Sequence, residues 1–430
     1  MNTGEVKRRV KAEILERLNW GANTRLFLRG IFTLAPFIAL SRIIAMGTHI
    51  LAGRWLGPDQ YGMVNLTIAS SKLWLLFISL GFFTASYRVA ALPDEKRSLA
   101  VSSLTWSILI WSGFCLSLLL IFHSPIAREF KISPKIYFWS VLYASAQFLY
   151  GASSSLLAGL QKFKARGIFE LAYAAIVLIV FSASFILKPS IDFVLLLRAM
   201  SLGCLLGTLL CLYEIRNFIH PVFSFSAIRD VWDYAGPNLM GWGCMVGAES
   251  LVVLMVSWHL SPRELGFYSA YQTAIFRPVL VASAVIGIVL GPLSSVREKQ
   301  KKIWKKFLQF SPLIFLASWI TFSLAGSVVI KLMGNRYPLN FAWISLFGGA
   351  AALLFLSSFP GTILSFRDSK SAWLSSFSAA LGAILSAAIG FWAIPRFKIA
   401  GAALALAGLY AGVFICNSIS SHHVLNADSI

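Results

Sequence analysis

Long apolar runs alternate with short polar connections along almost the whole chain. Twelve runs fall at about 31–53, 62–87, 99–122, 136–160, 167–187, 193–213, 235–260, 265–291, 307–331, 338–365, 372–394 and 399–420. Stretches of about 20 apolar residues suffice to cross a bilayer as a helix. Leu, Ala and Phe dominate them, without the short alternating pattern of barrel strands. They therefore predict helices, which satisfy their own backbone groups in lipid. The expected fold class is an all-α polytopic membrane protein with about twelve transmembrane helices. Composition agrees, with 58% hydrophobic residues, 13% charged residues and a mean hydropathy of +0.75. A soluble chain this apolar could not cover its surface with polar groups.

Two polar connections resemble each other. Leu56-Gly57-Pro58-Asp59-Gln60-Tyr61-Gly62 and Leu260-Ser261-Pro262-Arg263-Glu264-Leu265-Gly266 each join Leu-x-Pro to a Gly four positions later, at an offset of 204. A second match lies at offset 206, where Ala158-Gly159-Leu160-Gln161-Lys162-Phe163-Lys164-Ala165 aligns with Leu364-Ser365-Phe366-Arg367-Asp368-Ser369-Lys370-Ser371. The chain thus reads as two pseudo-symmetric six-helix bundles. Six is even, so both bundles point the same way and the repeat is of the parallel type. The expected units are a cytoplasmic N-terminal segment 1–29, a bundle 30–213, a cytoplasmic linker 214–233, a second bundle 234–421 and a short tail 422–430.

A net charge of +20 could indicate nucleic acid, but its placement argues otherwise. With the N-terminus inside, 23 Lys and Arg residues fall on inner segments and 10 on outer ones. That bias places both termini in the cytoplasm, with the chain in the cytoplasmic membrane. Residues 1–29 are too long for the basic region of a cleavable signal, and no A-x-A site follows. Val6, Val10, Ile14 and Leu18 recur at helical spacing among charges, which predicts an amphipathic helix on the inner surface. Cys115, Cys204, Cys211, Cys244 and Cys416 all lie in predicted spans and read as packing residues. The pairs Gly203–Gly207, Gly243–Gly247, Gly287–Gly291 and Gly408–Gly412 predict close helix packing.

The run Gly53-Arg54-Trp55-Leu56-Gly57-Pro58-Asp59-Gln60-Tyr61-Gly62 resembles the loop after the first helix of polysaccharide-transport flippases. So does the Gly-Leu-Gln-Lys-Phe exit from the fourth span. Those proteins belong to the multidrug/oligosaccharidyl-lipid/polysaccharide (MOP) superfamily, which includes the multidrug and toxic compound extrusion (MATE) carriers and the lipid II flippase. The lipid II flippases usually carry two further helices, which this chain lacks. The resemblance implies a MATE-like fold and alternating access of two bundles. It implies as substrate a polyprenyl diphosphate-linked oligosaccharide for O-antigen, capsule or exopolysaccharide export. It further implies a polysaccharide polymerase or chain-length protein as partner, and H⁺ or Na⁺ coupling.

Few ionisable residues interrupt the spans: Arg42, Lys72, Glu170, Arg198, Glu249 and Arg277. Each mid-bilayer charge costs about 2.5–3.5 kcal/mol, so such residues should pair or face water. Asn65, Lys72, Ser79 and Ser86 recur every seven residues, which keeps them near one helix face. Arg42 and His49 share a face beside Ser41 and Thr48, and Tyr143, Gln147, Tyr150 and Ser154 form another stripe. These patterns predict a cationic chamber between the bundles, lined chiefly by spans one, two, seven and eight. The candidate substrate contacts are Arg42, Lys72, Arg277, Arg198, Asn65, His49, Gln147 and Gln272. Arg and Lys suit phosphate oxygens, and the amides and hydroxyls suit sugars. Glu249 is the candidate coupling-ion site, or a latch to Arg42 or Arg277.

No G-x-x-x-x-G-K-[ST], H-E-x-x-H or G-x-S-x-G occurs, so no catalytic centre, metal or cofactor is expected. Two other readings remain. A cation-coupled drug or metabolite antiporter of the same superfamily would predict an acid-rich chamber. A membrane polysaccharide ligase or transferase would need catalytic residues on an outer loop, and the outer loops are short.

Overall fold

A computed structural model of the chain describes residues 22–89, 92, 94–187, 192–232, 235–294, 297–367 and 369–427. The described residues are almost all helical. The first helical run, Ala22–Ser79, changes direction at Gly57 (φ 73°, ψ 172°), a conformation open essentially to Gly alone. It is therefore two helices, α1 (22–56) and α2 (58–79). There follow α3 (Phe82–Arg88), α4 (Asp94–Ile121), α5 (His123–Glu129), α6 (Pro134–Gly159), α7 (Phe163–Leu187), α8 (Val194–Ile215), α9 (Phe225–Trp232), α10 (Ala235–His259), α11 (Pro262–Ser294), α12 (Arg297–Met333), α13 (Phe341–Arg367), α14 (Ser369–Phe397) and α15 (Ile399–Ala427).

The two similar loops start α2 and α11 by different means. Gly57 breaks the first. In the second, Ser261 caps the Glu264 amide (3.3 Å) while Glu264 accepts from the Ser261 amide (3.1 Å), with Pro262 at the first helical position. This reciprocal cap satisfies two orphan backbone donors. Lys398, 2.9 Å from Glu264 in the turn before α15, and the Ser261 amide hold the Glu264 carboxyl below its usual range. Ser261→Ala is expected to cost about 1 kcal/mol, read as a lower unfolding temperature in detergent.

Repeat symmetry is visible in element order. α2, α4, α6, α7 and α8 begin at residues 58, 94, 134, 163 and 194; α11, α12, α13, α14 and α15 begin at 262, 297, 341, 369 and 399. Every pair is separated by 203–207 residues. Packing repeats too. Trp55 of α1 stacks on Phe181 and Phe185 of α7, as α10 packs along α14. Trp74 of α2 donates to Ser140 of α6 (2.8 Å), and α11 likewise packs on α13, where Tyr268 meets Phe347.

Among the described residues, nine helices are long and apolar enough to span a membrane, the run Leu34–Ser79 being counted once. Splitting it at Gly57 adds one crossing. Two further long helices are α6, which is less apolar, and α11, whose apolar C-terminal part runs beyond the residues with described side chains. They complete the twelve expected spans, and both carry the polar residues of the cavity described below. The protein is thus a multi-pass membrane protein, with large apolar side chains such as Phe77, Ile110, Ile179 and Leu187 on its outer surface.

Several expectations change. The second span is not one helix: Leu80 (φ 35°) and Gly81 (φ 88°) turn the chain before α3. Ser86 therefore leaves the heptad stripe and is fully buried. The short helix α5 was not legible. The linker is not merely polar loop, since it holds α9 and is strapped to α4: Trp106 donates to the His220 carbonyl (3.0 Å) and Ser103 accepts from the Ser224 amide (2.9 Å). The C-terminal tail begins as helix, because α15 continues to Ala427. Residues 1–21 of the amphipathic segment and 428–430 of the tail lie outside the described residues. A methyl group on Gly203 or Gly207 would press on Val177 (2.8 Å) or Tyr150 (2.7 Å), and one on Gly412 would reach Gly382 Cα (3.0 Å), so these glycines do allow close packing. Gly243 and Gly247 meet only Leu76 at ordinary contact (3.7 Å). The side-chain surroundings of the Gly287–Gly291 pair lie outside the described residues.

Candidate functional site

The halves are closed on each other at the end that carries Pro58 and Pro262. A Cβ on Gly62 would lie 2.7 Å from the Gly266 nitrogen and 2.8 Å from the Pro262 carbonyl oxygen. A Cβ on Gly266 would run into the Pro58 carbonyl. Only hydrogen at both positions permits this backbone approach. Tyr337 donates to the Gly53 carbonyl (3.0 Å) and Trp258 to the Phe130 carbonyl (3.1 Å), so α12–α13 and α10 of the second half seal against the first.

Below this seal lies a cavity of about 1150 Å³. Its wall runs from His49, Asn65 and Gln272 to Tyr87, Arg166 and Leu239, towards the opposite end of the bundle. The deep layer is a hydrogen-bonded bridge between halves. Arg277 donates to His49 Nε2 (2.6 Å). A guanidinium can only donate, so the imidazole is neutral with its proton on Nδ1. That nitrogen donates to Tyr61 Oη (3.2 Å), which donates to Thr273 Oγ1 (3.1 Å). Beside it, Asn65 Nδ2 donates to Gln272 Oε1 (3.0 Å). The Arg277–His49, Tyr61–Thr273 and Asn65–Gln272 links join the first half (α1, α2) to the second (α11), while His49–Tyr61 ties α1 to α2.

The charges follow the sequence reading in part. Arg42, Lys72, Arg166 and Arg277 face the cavity against Glu170 and Glu249, so cations exceed acids by two. Arg42 is exposed to the cavity and makes no ion pair or hydrogen bond among the described residues. Lys72 approaches Glu249 at 3.9 Å, the limit of an ion pair, with a side chain still 37% exposed. In this conformation Glu249 makes no contact with Arg42 or Arg277 among the described residues. It meets Lys72 and accepts from Tyr410 of α15 (2.8 Å), because Arg277 is already held by His49.

The structure brings Arg42, Lys72, Arg277, Asn65, His49, Gln147, Gln272 and Glu249 to one wall. Arg198 does not join them. It is exposed outside the cavity, with its guanidinium 5.4 Å from the Trp139 ring. The expectation that spans one, two, seven and eight form most of the wall also changes. α6, α7 and α8 of the first half contribute heavily, whereas α12 to α15 contribute nothing among the described lining residues. Sequence reasoning missed Tyr61 and Thr273 as cross-half links, and Arg166 and Tyr173 as wall residues. Arg166, Glu170 and Tyr173 stand at i, i+4 and i+7 on α7, a spacing that marks one helix face. Among the described residues no group of His, Cys, Asp or Glu could hold a metal ion.

A model of the family described as polysaccharide biosynthesis protein matches residues 27–297. No curated protein sequence matches. Solved structures do. A MOP superfamily transporter from Pyrococcus furiosus, described as having a binding pocket of reverse polarity that suggests a different function, aligns with a TM-score of 0.64 over 94% of this chain and 97% of that one, at 12% identity. An inward-facing multidrug resistance MATE family transporter aligns at 0.65 over 90% and 94%, also at 12% identity. The outward-facing conformation of such a transporter aligns at 0.65 over 93% and 96%, at 12% identity. These likenesses give the fold, which is that of MOP superfamily transporters.

Proposed function

The chain belongs to the polysaccharide biosynthesis protein family, and on that premise we propose that it is a flippase for a polyprenyl diphosphate-linked oligosaccharide. The observation that carries this reading is the excess of cations on the cavity wall between the two halves. Arg42 and Lys72 have donors to spare, and Arg277 would exchange one neutral acceptor, His49, for a charged one. Bonds from Arg or Lys to phosphate oxygens are about twice as strong as neutral ones. A diphosphate is the part of such a substrate that could not enter an apolar passage. A sugar head needs hydroxyl partners, which Asn65, Gln272, Gln147 and Thr48 supply on the same wall.

The seal supports alternating access. With the basic connections taken as cytoplasmic, the cavity opens towards the cytoplasm and the Gly62–Gly266 contact closes the far side. Loading occurs in this state with the lipid tail left in the bilayer. Release requires the His49–Arg277 bridge and the Gly62–Gly266 approach to part. Substrate anion competes directly for Arg277, so loading weakens the bridge that holds the halves together. Polymerase or chain-length proteins would take the product on the outer side.

The test is a reconstituted-liposome assay that follows a fluorescent polyprenyl diphosphate oligosaccharide, with and without an imposed H⁺ or Na⁺ gradient. Protein-dependent flipping is expected, and gradient dependence would bring Glu249 forward as the coupling site. Absence of flipping together with gradient-driven efflux of small organic cations would replace this reading with that of an antiporter.

A further inference from the structure

The cavity is lopsided, and the cause is chemical. It enters the first half between α6 and α7, forming a recess walled by Gln147, Tyr150, Ser154, Arg166, Glu170 and Tyr173. Tyr150 and Tyr173 stack with ring centroids 5.2 Å apart. Among the described residues, α12 to α15 contribute nothing to the cavity. At the 206-residue offset that relates α7 to α14, the counterparts of Gln147, Tyr150, Arg166, Glu170 and Tyr173 are Leu353, Leu356, Ala372, Ser376 and Ala379. α14 and α15 are drawn together there instead: a Cβ on Gly382 would lie 2.6 Å from the Leu409 carbonyl oxygen. The two similar bundles thus differ, the polar recess being lined by the first.

The recess is unfinished as protein. Tyr150 Oη, Ser154 Oγ, Gln147 Oε1 and Arg166 Nε are buried atoms without a hydrogen-bond partner. Tyr150 and Ser154 are only 7% and 3% exposed. Leaving such atoms unpaired costs free energy in the empty state, so the site favours a ligand that pairs them. It offers donors and acceptors close together, one carboxylate balanced by one guanidinium, and flat tyrosine faces. It carries no excess charge, unlike the Arg42, Lys72 and Arg277 region.

We infer that this α6–α7 recess is the subsite for the saccharide head, and that it, rather than the cationic region, sets which sugar is carried. The inference rests on the flippase reading above. Neutral polyhydroxyl groups match its mixture of donors, acceptors and aromatic faces. Specificity follows from the same unpaired atoms, because a site built to bond a hydroxyl strongly rejects an analogue lacking it. The contacts that select the sugar therefore come from the first half, while the diphosphate lies between the halves. The first half carries the head across as the bundles rock.

Binding to the purified full-length chain in detergent separates the two subsites. The probes are lipid-linked oligosaccharide extracted from the producing cells and sugar-free polyprenyl diphosphate. Tyr150→Phe, Gln147→Leu and Glu170→Gln are each expected to lose about tenfold in affinity for the glycosylated lipid, a typical loss for one bond to a buried group. Their affinity for the sugar-free lipid should stay at the wild-type value. Arg42→Ala should weaken both. Tyr150→Phe removes a single oxygen from an unpaired position, so it remains informative if a bolder variant fails to fold. Equal, wild-type binding of both lipids by Tyr150→Phe and Glu170→Gln overturns the saccharide subsite while leaving the flippase reading intact. Wild-type protein that binds neither lipid overturns the flippase reading and this subsite with it.

Discussion

Gly266→Val is expected to abolish most transport while the chain still inserts into the membrane. The reason is a contact between backbones, not between side chains. At Gly266 a Cβ would overlap the Pro58 carbonyl and lie 2.8 Å from Pro58 Cα, and Gly62 stands equally close on the other side. No flexible side chain is present to move aside. Overpacking of this kind costs about 1–3 kcal/mol, which shifts a two-state equilibrium by about 5–150-fold. The penalty falls only on the state in which the halves meet at this end, so the protein should rest open there. Spin labels at Asp59 and Arg263, both exposed at that end, would report the change in a background with the five cysteines replaced. The distance between them should lengthen in Gly266→Val. A wild-type distance together with wild-type transport would show that the Gly62–Gly266 approach is not a gate.

Arg42→Ala and Lys72→Ala should each lower export by about 10-fold or more, as expected for loss of a charge-assisted bond to the substrate. Insertion should be unaffected, since removing a charge from a span makes it easier to insert. The rival explanation for Lys72 is charge balance, because it stands 3.9 Å from Glu249. A double variant decides between them. If Lys72 serves only Glu249, Lys72→Met combined with Glu249→Gln leaves no uncompensated charge and should recover export. If Lys72 binds the substrate, the double variant should remain as poor as Lys72→Met alone. Arg42 has no such partner among the described residues, so its loss tests substrate contact directly. Wild-type export by both single variants would remove the cationic cavity from the mechanism.

Class, span number and repeat were open to reading because each depends on local pattern. An apolar run of bilayer length has few alternatives to a helix, and Pro58 and Pro262 mark the same turn in both halves whatever surrounds them. Candidate polar residues were legible for a related reason. A charge such as Arg42 or Lys72 in an apolar span needs water or a partner, so a cavity follows from its presence. The misreadings share the opposite property. The heptad stripe of the second span ran on to Ser86 only if the helix did, and positive φ at Leu80 and Gly81 ends it. Arg198 looks like Arg277 in one dimension, yet one faces outward over Trp139 and the other reaches His49 across the interface.

The sequence by itself determined that the protein is a twelve-span, two-half membrane protein with cations between its halves, because hydropathy and repeat spacing are properties of segments. Only the tertiary structure decided the partners of those cations, the Gly62–Gly266 closure and the confinement of the recess to one half. Each of these depends on distances between helices far apart in the chain. Those distances are set by whether a tyrosine or a glycine stands where two helices cross, as Tyr150 does over Gly207 and Gly382 does against α15.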